Sequence, residues 1–410
     1  MNYLHFLPRN IVIAAGLLLL AGALAACNNE SRPPDASVTA TATSVEVAAV
    51  AAQPSPSATD TATLTPTTEP TATPTTTPTS TPTPTATPTP APQAIQLTTG
   101  GCCTQPFWSP DSQQVRFIDK PAADQPVGIW GVSVDAPQTA PEFVTDRLEE
   151  STASPDYLIE TNGDTTVIER RADGQRWTVP AGGRTVYISP DETRIAWAVT
   201  NSDAPSSNQV SALWLANLDG SDAQQIATLP RGGLSGWISN DVLFISSRES
   251  LDSRQQILYA LSVSDGTRTE LARAERMRGQ SLSPSGAWLV YYVTFDSDPS
   301  KNGIWLVSTD GSQSMVLDHD LFGAYQWRNC PDGCTPEEDR LLMVPFRPDA
   351  TYHWLVELNP ATGEVRQLTD PDVTPIKIAN GDWRVSPDGR TIAFVESSDR
   401  NIWLLDLPEG

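Results

Sequence analysis

The amino-acid sequence predicts an all-β fold: a seven-bladed β-propeller whose N- and C-terminal strands close one blade, set behind a signal peptide and a disordered linker. A six-bladed ring is the alternative if residues 145–183 are an insertion. Three observations lead there. A turn of the Ser-Pro-Asp-Gly kind recurs seven times after residue 95 at a mean step of about 46 residues, close to the period of a four-stranded propeller blade. Short apolar runs rich in β-formers follow the turns, as at Ile195-Ala196-Trp197-Ala198-Val199 and Leu289-Val290-Tyr291-Tyr292-Val293. An apolar stripe of helical period and useful length is absent.

Residues 1–26 read as an address. Arg9 is the one Lys or Arg among the first ten positions, and residues 11–26 are an uncharged run rich in Ala, Gly and Leu, a secretory h-region by length and flank. A spanning helix needs about 20 apolar residues and usually basic flanks; these 16 run straight into Cys27, Asn28, Asn29 and Glu30. Leu24-Ala25-Ala26-Cys27 resembles the bacterial lipobox. The resemblance implies cleavage before Cys27 and a diacylglyceryl group on its thiol. Acyl chains contribute about 0.8 kcal/mol per buried methylene, and two or three together anchor stably. The expected location is therefore the cell membrane, lipid-anchored and facing the extracytoplasmic side.

Residues 27–94 form the expected tether. From Ser31 to Ala94 there are 20 Thr and 13 Pro, with no aromatic residue and no Lys, so the segment cannot bury enough apolar surface to offset its ordering entropy. In the polyproline II form it reaches at most roughly 200 Å.

Residues 95–410 hold the repeat. It is clearest at Trp383-Arg384-Val385-Ser386-Pro387-Asp388-Gly389, followed by Ile392-Ala393-Phe394-Val395 and Ile402-Trp403-Leu404-Leu405. Related turns begin at Ser109, Ser189, Ser283 and Cys330, with degenerate copies at Ser154 and Ser239, giving steps of 45, 35, 50, 44, 47 and 56 residues. Each unit reads as a strand A ending in the turn, where Pro presets φ and Gly relaxes the bend, then strands B, C and D. Strand C recurs at Ile129-Trp130, Leu213-Trp214, Ile304-Trp305, His353-Trp354 and Ile402-Trp403, and Asp-Gly hairpin signals follow at Asp219, Asp265 and Asp310. The last unit shows no strand D of its own. Ala94-Ile95-Gln96-Leu97-Thr98 ahead of the first turn matches Val365-Arg366-Gln367-Leu368-Thr369, the strand D of the sixth unit. A split blade that pairs the two ends and covers their edges is the expectation.

On these residues the chain resembles the TolB-like family of bacterial propellers, with its WD-type repeat of Trp-Ser-Pro-Asp-Gly, Ile-Ala-Phe, Ile-Trp, Asp-Gly and Leu-Thr. The resemblance is tightest over residues 383–407 and poorest over 145–183. It implies an extracytoplasmic platform for interactions. TolB itself has an additional N-terminal α/β domain and no lipid anchor, so a Tol-Pal role is not implied.

Beyond the leader only His319 and His353 remain, too few for a histidine-rich metal site or a Ser-His-Asp triad. No catalytic residue, metal or cofactor is expected. Asp296-Ser297-Asp298 and Asp318-His319-Asp320 lack the spacing of a calcium loop, and the strand C tryptophans read as blade packing. In an exported head the four remaining cysteines should oxidise. A local Cys330 to Cys334 bond is the first expectation and a vicinal Cys102 to Cys103 bond the second, with four free thiols as the alternative.

Strand alternation places the D-to-A and B-to-C loops on one face. There Arg147, Arg231, Arg276, Arg278 and Lys377 surround the expected channel mouth and are the candidate binding residues. With 26 Lys plus Arg against 49 Asp plus Glu and a formal charge of −23, nucleic acid is disfavoured as a partner. The reading is a lipid-anchored, non-enzymatic scaffold binding an envelope protein or glycan. The alternatives are a carboxylate-dependent propeller enzyme acting on glycan or peptide, and a purely structural surface protein. A pair of buried acids in the channel would mark the enzyme; a shallow mouth of mixed charge with exposed aromatics would mark the binder.

Overall fold

The computed structural model describes residues 92–101, 105–151, 156–319, 323–331, 333–345, 347 and 350–408. Cys27, the leader and the tether up to residue 91, together with Cys102, Cys103 and Asp320, lie outside the described residues.

Seven antiparallel sheets follow one another along the chain as the blades of a propeller, and among the described residues only three short 3-10 turns accompany them. Blade one comprises Phe107–Trp108, Gln114–Asp119, Gly128–Ser133 and Glu142–Thr145. Blades three to six repeat this four-stranded order, their second strands being Arg194–Thr200, Val242–Arg248, Trp288–Val293 and Leu341–Pro345. Blade seven takes Ile378–Val385, Thr391–Glu396 and Ile402–Asp406 from the end of the chain and Ala94–Gln96 from the start of the repeat region. The closing pairs are Ala94 with Leu405, Ile95 with Leu404 and Gln96 with Trp403. Beyond them the Leu97 N–H donates to Ile402 O at 2.8 Å, and the Ile402 N–H to Thr98 Oγ1 at 2.8 Å. The ends therefore latch as the sequence predicts.

The central strands are buried on both faces, which is why they read as continuous apolar runs. Six apolar clusters fill the spaces between consecutive blades. Trp383 and Phe394 pack with Leu342 and Val344 between blades six and seven; Phe117 and Trp130 pack with Ala393 and Val395 between seven and one. Among the described residues no such cluster lies between blades one and two. Charges occupy that joint: Arg147 meets Glu160 at 2.6 Å and Glu169 at 3.3 Å, Arg176 meets both carboxylates, and Arg171 meets Glu150 at 2.6 Å.

The second unit is a blade and not an insertion, but among the described residues it has three strands, Tyr157–Asn162, Thr165–Arg170 and Arg176–Val179. Ahead of its turn, where other units hold a strand, stands the 3-10 turn Leu148–Ser151. The sixth blade also departs from expectation. Its third strand is Val356–Leu358, and His353 instead forms an isolated bridge with Ile376. The run Trp354-Leu355-Val356 is apolar throughout, so alternation does not pin the register there.

Candidate functional site

In each four-stranded blade antiparallel pairing puts the D-to-A crossings and B-to-C loops at one end, here the entry face, and the hairpin turns at the other, the turn face. The turn face is where the repeated motif is spent. Ser109 Oγ donates to Asp111 Oδ1 at 2.6 Å and accepts from the Gln114 N–H at 2.9 Å, while Asp111 accepts from the Gln113 N–H at 3.1 Å. Ser189 and Asp191 repeat the pattern at 2.6 Å, with the Arg194 N–H at 3.0 Å from Ser189 Oγ. The serine hydroxyl foremost, with backbone N–H groups, holds the carboxyls of Asp111 and Asp191 below the ordinary carboxylate range. The fifth turn has Ser285 where aspartate is usual, and the fully buried Asp339 of the next blade fills the gap by accepting from the Ser285 hydroxyl and N–H.

The turn face also carries a feature that sequence reasoning missed. A hollow of about 620 Å³ between blades six and seven is lined by Arg328, Asn329, Asp388, Arg390, Thr391 and Asp406. A neighbouring hollow of about 260 Å³ shares Arg328 and Asn329 and reaches Cys330. Cys330 and Cys334 are disulfide-bonded, with Cα atoms 5.3 Å apart, as the sequence predicts. Gly389 at φ +69° is needed beside them, because a Cβ there would lie 2.0 Å from Asn329 O. The signal available in the sequence was the lengthened connection from Arg328 to Arg340 around the two cysteines.

On the entry face the five candidate cations divide. Arg147 is engaged in the joint between blades one and two. Arg231, Arg276, Arg278 and Lys377 are exposed. Arg231, Arg276 and Arg278 take part in no ion pair among the described residues. Arg231 follows the last strand of blade three, Gln224–Pro230, and Arg276 and Arg278 flank the start of the first strand of blade five, Met277–Leu282. These segments are knitted together: the Arg231 N–H donates to Gln209 O at 2.9 Å, Ser247 Oγ to Pro230 O at 3.1 Å, the Met277 N–H to Gln256 Oε1 at 2.9 Å and the Thr294 N–H to Arg276 O at 3.2 Å. Burial foremost, and then the Arg231 charge, push the Arg248 guanidinium down from its usual value.

Next to Thr294 stands Phe295, 66% exposed and at φ 55°. A bulky side chain in left-handed backbone is strained. Its loop is held from beneath by Asp296, which accepts the N–H groups of Glu275 at 2.8 Å and Asp298 at 3.0 Å. Burial raises the Asp296 carboxyl, but those N–H donors and the Lys301 charge outweigh it and leave it lowered. Asp298 is spent capping a 3-10 turn through the Ser300 N–H at 3.1 Å. Deeper in, Tyr292 and Tyr325 stack at 4.7 Å between blades five and six beside Arg278, and burial pushes the Tyr292 hydroxyl up to about 12. Tyr325 Oη donates to Gly279 O at 2.5 Å, and Gly279, at φ +65°, leaves no room for a Cβ against either ring. Phe295 carried no sequence signal beyond its place at the start of the loop that follows the strand Trp288–Val293. His353 is structural: its Nδ1 accepts the Ile378 N–H at 3.1 Å, and burial foremost, then Lys377, lowers its pKa.

No protein-family model matches the chain, and no curated protein matches it. Among solved structures it is similar to oligogalacturonate lyase from Vibrio parahaemolyticus, at 12% identity over 77% of this chain and 92% of that one, with a TM-score of 0.43. It is also similar to TolB from Acinetobacter baumannii, at 13% identity over 75% and 79%, TM-score 0.36. The β-propeller domain of the trilobed protease from Pyrococcus furiosus gives 12% identity over 78% and 86%, TM-score 0.39.

Proposed function

We propose that this chain is a non-enzymatic binding scaffold, held at the extracytoplasmic side of the cell membrane by lipid on Cys27, which meets an envelope protein or glycan with its entry face. The observation that carries the reading is Phe295, exposed and strained next to Thr294, which is tied to Arg276, an exposed arginine in no ion pair among the described residues. Strain of this kind persists where the surroundings enforce it, and it clusters at ligand-contacting positions. The buried carboxylates give the enzymatic alternative less support, since each is committed to the framework. Asp296 holds its loop, Asp339 serves Ser285, Glu357 binds Arg328 and Arg366, and Glu396 accepts the Lys377 N–H at 2.8 Å.

The test is retention of envelope protein or glycan by the purified protein and by Arg276→Gln, alongside a cleavage assay on a glycan and peptide panel. Loss of the retained component in the variant is expected. Turnover of any panel member by the wild type, with retention unaffected by the variant, overturns the reading.

A further inference from the structure

We infer that the entry face of blades four and five is a subsite for a short oligosaccharide bearing carboxylates, an inference that rests on the binding reading and names its ligand. Two features point the same way. Arg231, Arg276 and Arg278 stand exposed without an ion-pair partner among the described residues, in a chain of formal charge −23 that has acids to spare. A guanidinium binds carboxylate through two parallel N–H donors, so bare arginines are a fitting receptor for that group.

Phe295 supplies the second feature. Its ring projects into solvent on a loop fixed by Asp296, with Arg276 tied to the adjacent Thr294. An apolar peptide anchor would need a pocket to fill, whereas a ring standing on an exposed loop offers a flat face on which the C–H side of a sugar lies. The nearby carboxylates do not cancel the patch. Glu275 accepts the Ser297 hydroxyl at 2.9 Å, and Asp296 is turned to the backbone of its own loop. The overall negative charge repels a dense polyanion at long range, but within about 8 Å at physiological ionic strength the local cations govern. The ligand is accordingly short and sparsely charged.

The experiment is calorimetric titration of the protein with a uronic-acid trisaccharide, with the same trisaccharide after its carboxylates are reduced to alcohols, and with hexaglutamate. Binding of the acidic sugar at least about tenfold tighter than the reduced one is expected, with hexaglutamate weaker than both. Arg276→Gln should cost about tenfold. Phe295→Gly should cost at least as much while leaving the unfolding midpoint equal or higher, because glycine adopts positive φ without strain. Equal binding of the reduced sugar, tighter binding of hexaglutamate, or a Phe295→Gly variant that binds normally overturns the inference. If the acidic sugar is not bound while Arg276→Gln still loses the envelope component, the ligand class is wrong and the binding scaffold stands.

Discussion

Replacing Arg328 by alanine tests how the sixth blade is joined to the seventh. Its guanidinium donates from Nε to Gly389 O at 2.8 Å, from Nη1 to Glu357 Oε2 at 3.0 Å and from Nη2 to Pro408 O at 3.0 Å. One side chain thus ties a turn of blade seven and the segment after its last strand to a carboxylate of blade six. The Arg328 side chain is 13% exposed and that of Glu357 5%. Removing one member of a buried pair costs roughly 3–5 kcal/mol when the other charge is left uncompensated. Here Arg366 stays on Glu357 at 2.8 Å, so the lower end, about 3 kcal/mol, is expected for Arg328→Ala. Arg366 binds the same carboxylate from a side chain 42% exposed; solvent screens it, and Arg366→Ala should cost about 1 kcal/mol or less. Urea unfolding at neutral pH measures both, provided the slope of free energy against denaturant is unchanged. If Arg366→Ala proves as costly as Arg328→Ala, or if Arg328→Ala costs under about 1 kcal/mol, burial is not what separates the two arginines and the reasoning fails.

Two further outcomes follow from the turns. Ser285→Asp, which restores the usual motif residue, should destabilise the protein, because it sets a second carboxylate against the buried Asp339; a neutral or stabilising effect in the same urea assay would show that Asp339 does not act as the missing aspartate. Asp310 is held at about 2 against an ordinary value of 3.8, by the Ser308 hydroxyl foremost and then the Ser312 N–H. A folded value below the unfolded one means stability that is complete above the ordinary value and lost as pH falls through the folded one. Asp310→Asn should therefore be less stable at neutral pH and lose less on acidification between 3.8 and about 2; parallel pH profiles for the two proteins would refute this.

What the sequence made legible was local chemistry repeated many times. Ser-Pro-Asp-Gly makes its hydrogen bonds within five residues, so its clear copies announce themselves wherever they fall, and with the degenerate copies at Ser154 and Ser239 they number the seven blades, the second of which the sequence left open as an insertion. The latch was legible because the first strand copies the strand D pattern of the sixth blade, and the Cys330–Cys334 bond because the two cysteines are only four positions apart. Features that arise between blades were not legible. Asp339 completing a turn 54 residues away, the hollow between blades six and seven, and the exposure of Phe295 depend on how neighbours pack, and none is written in a local pattern.

Blade two shows the two kinds of information meeting. Along its strands Tyr157, Ile159, Ile168, Trp177 and Val179 alternate with Glu160, Glu169 and Arg176. Because alternate residues of a strand face opposite sides, the first set joins the apolar cluster shared with blade three, whereas the second lies on the other face, where Arg147 from the segment after blade one reaches Glu160 and Glu169. A repeat pattern that expects apolar residues on both faces of a central strand fits such a blade poorly, which is why the resemblance is weakest there. The same alternation explains the joint. On that face, which also carries the buried Leu158, the carboxylates are met by Arg147, from the segment after blade one, and by Arg176 of blade two itself. These side chains are 38% and 50% exposed, and screened pairs of that kind contribute little each. Among the described residues the ring thus shows an apolar cluster at six of its joints and partly solvated ion pairs at the seventh, which is also where the repeat is hardest to read.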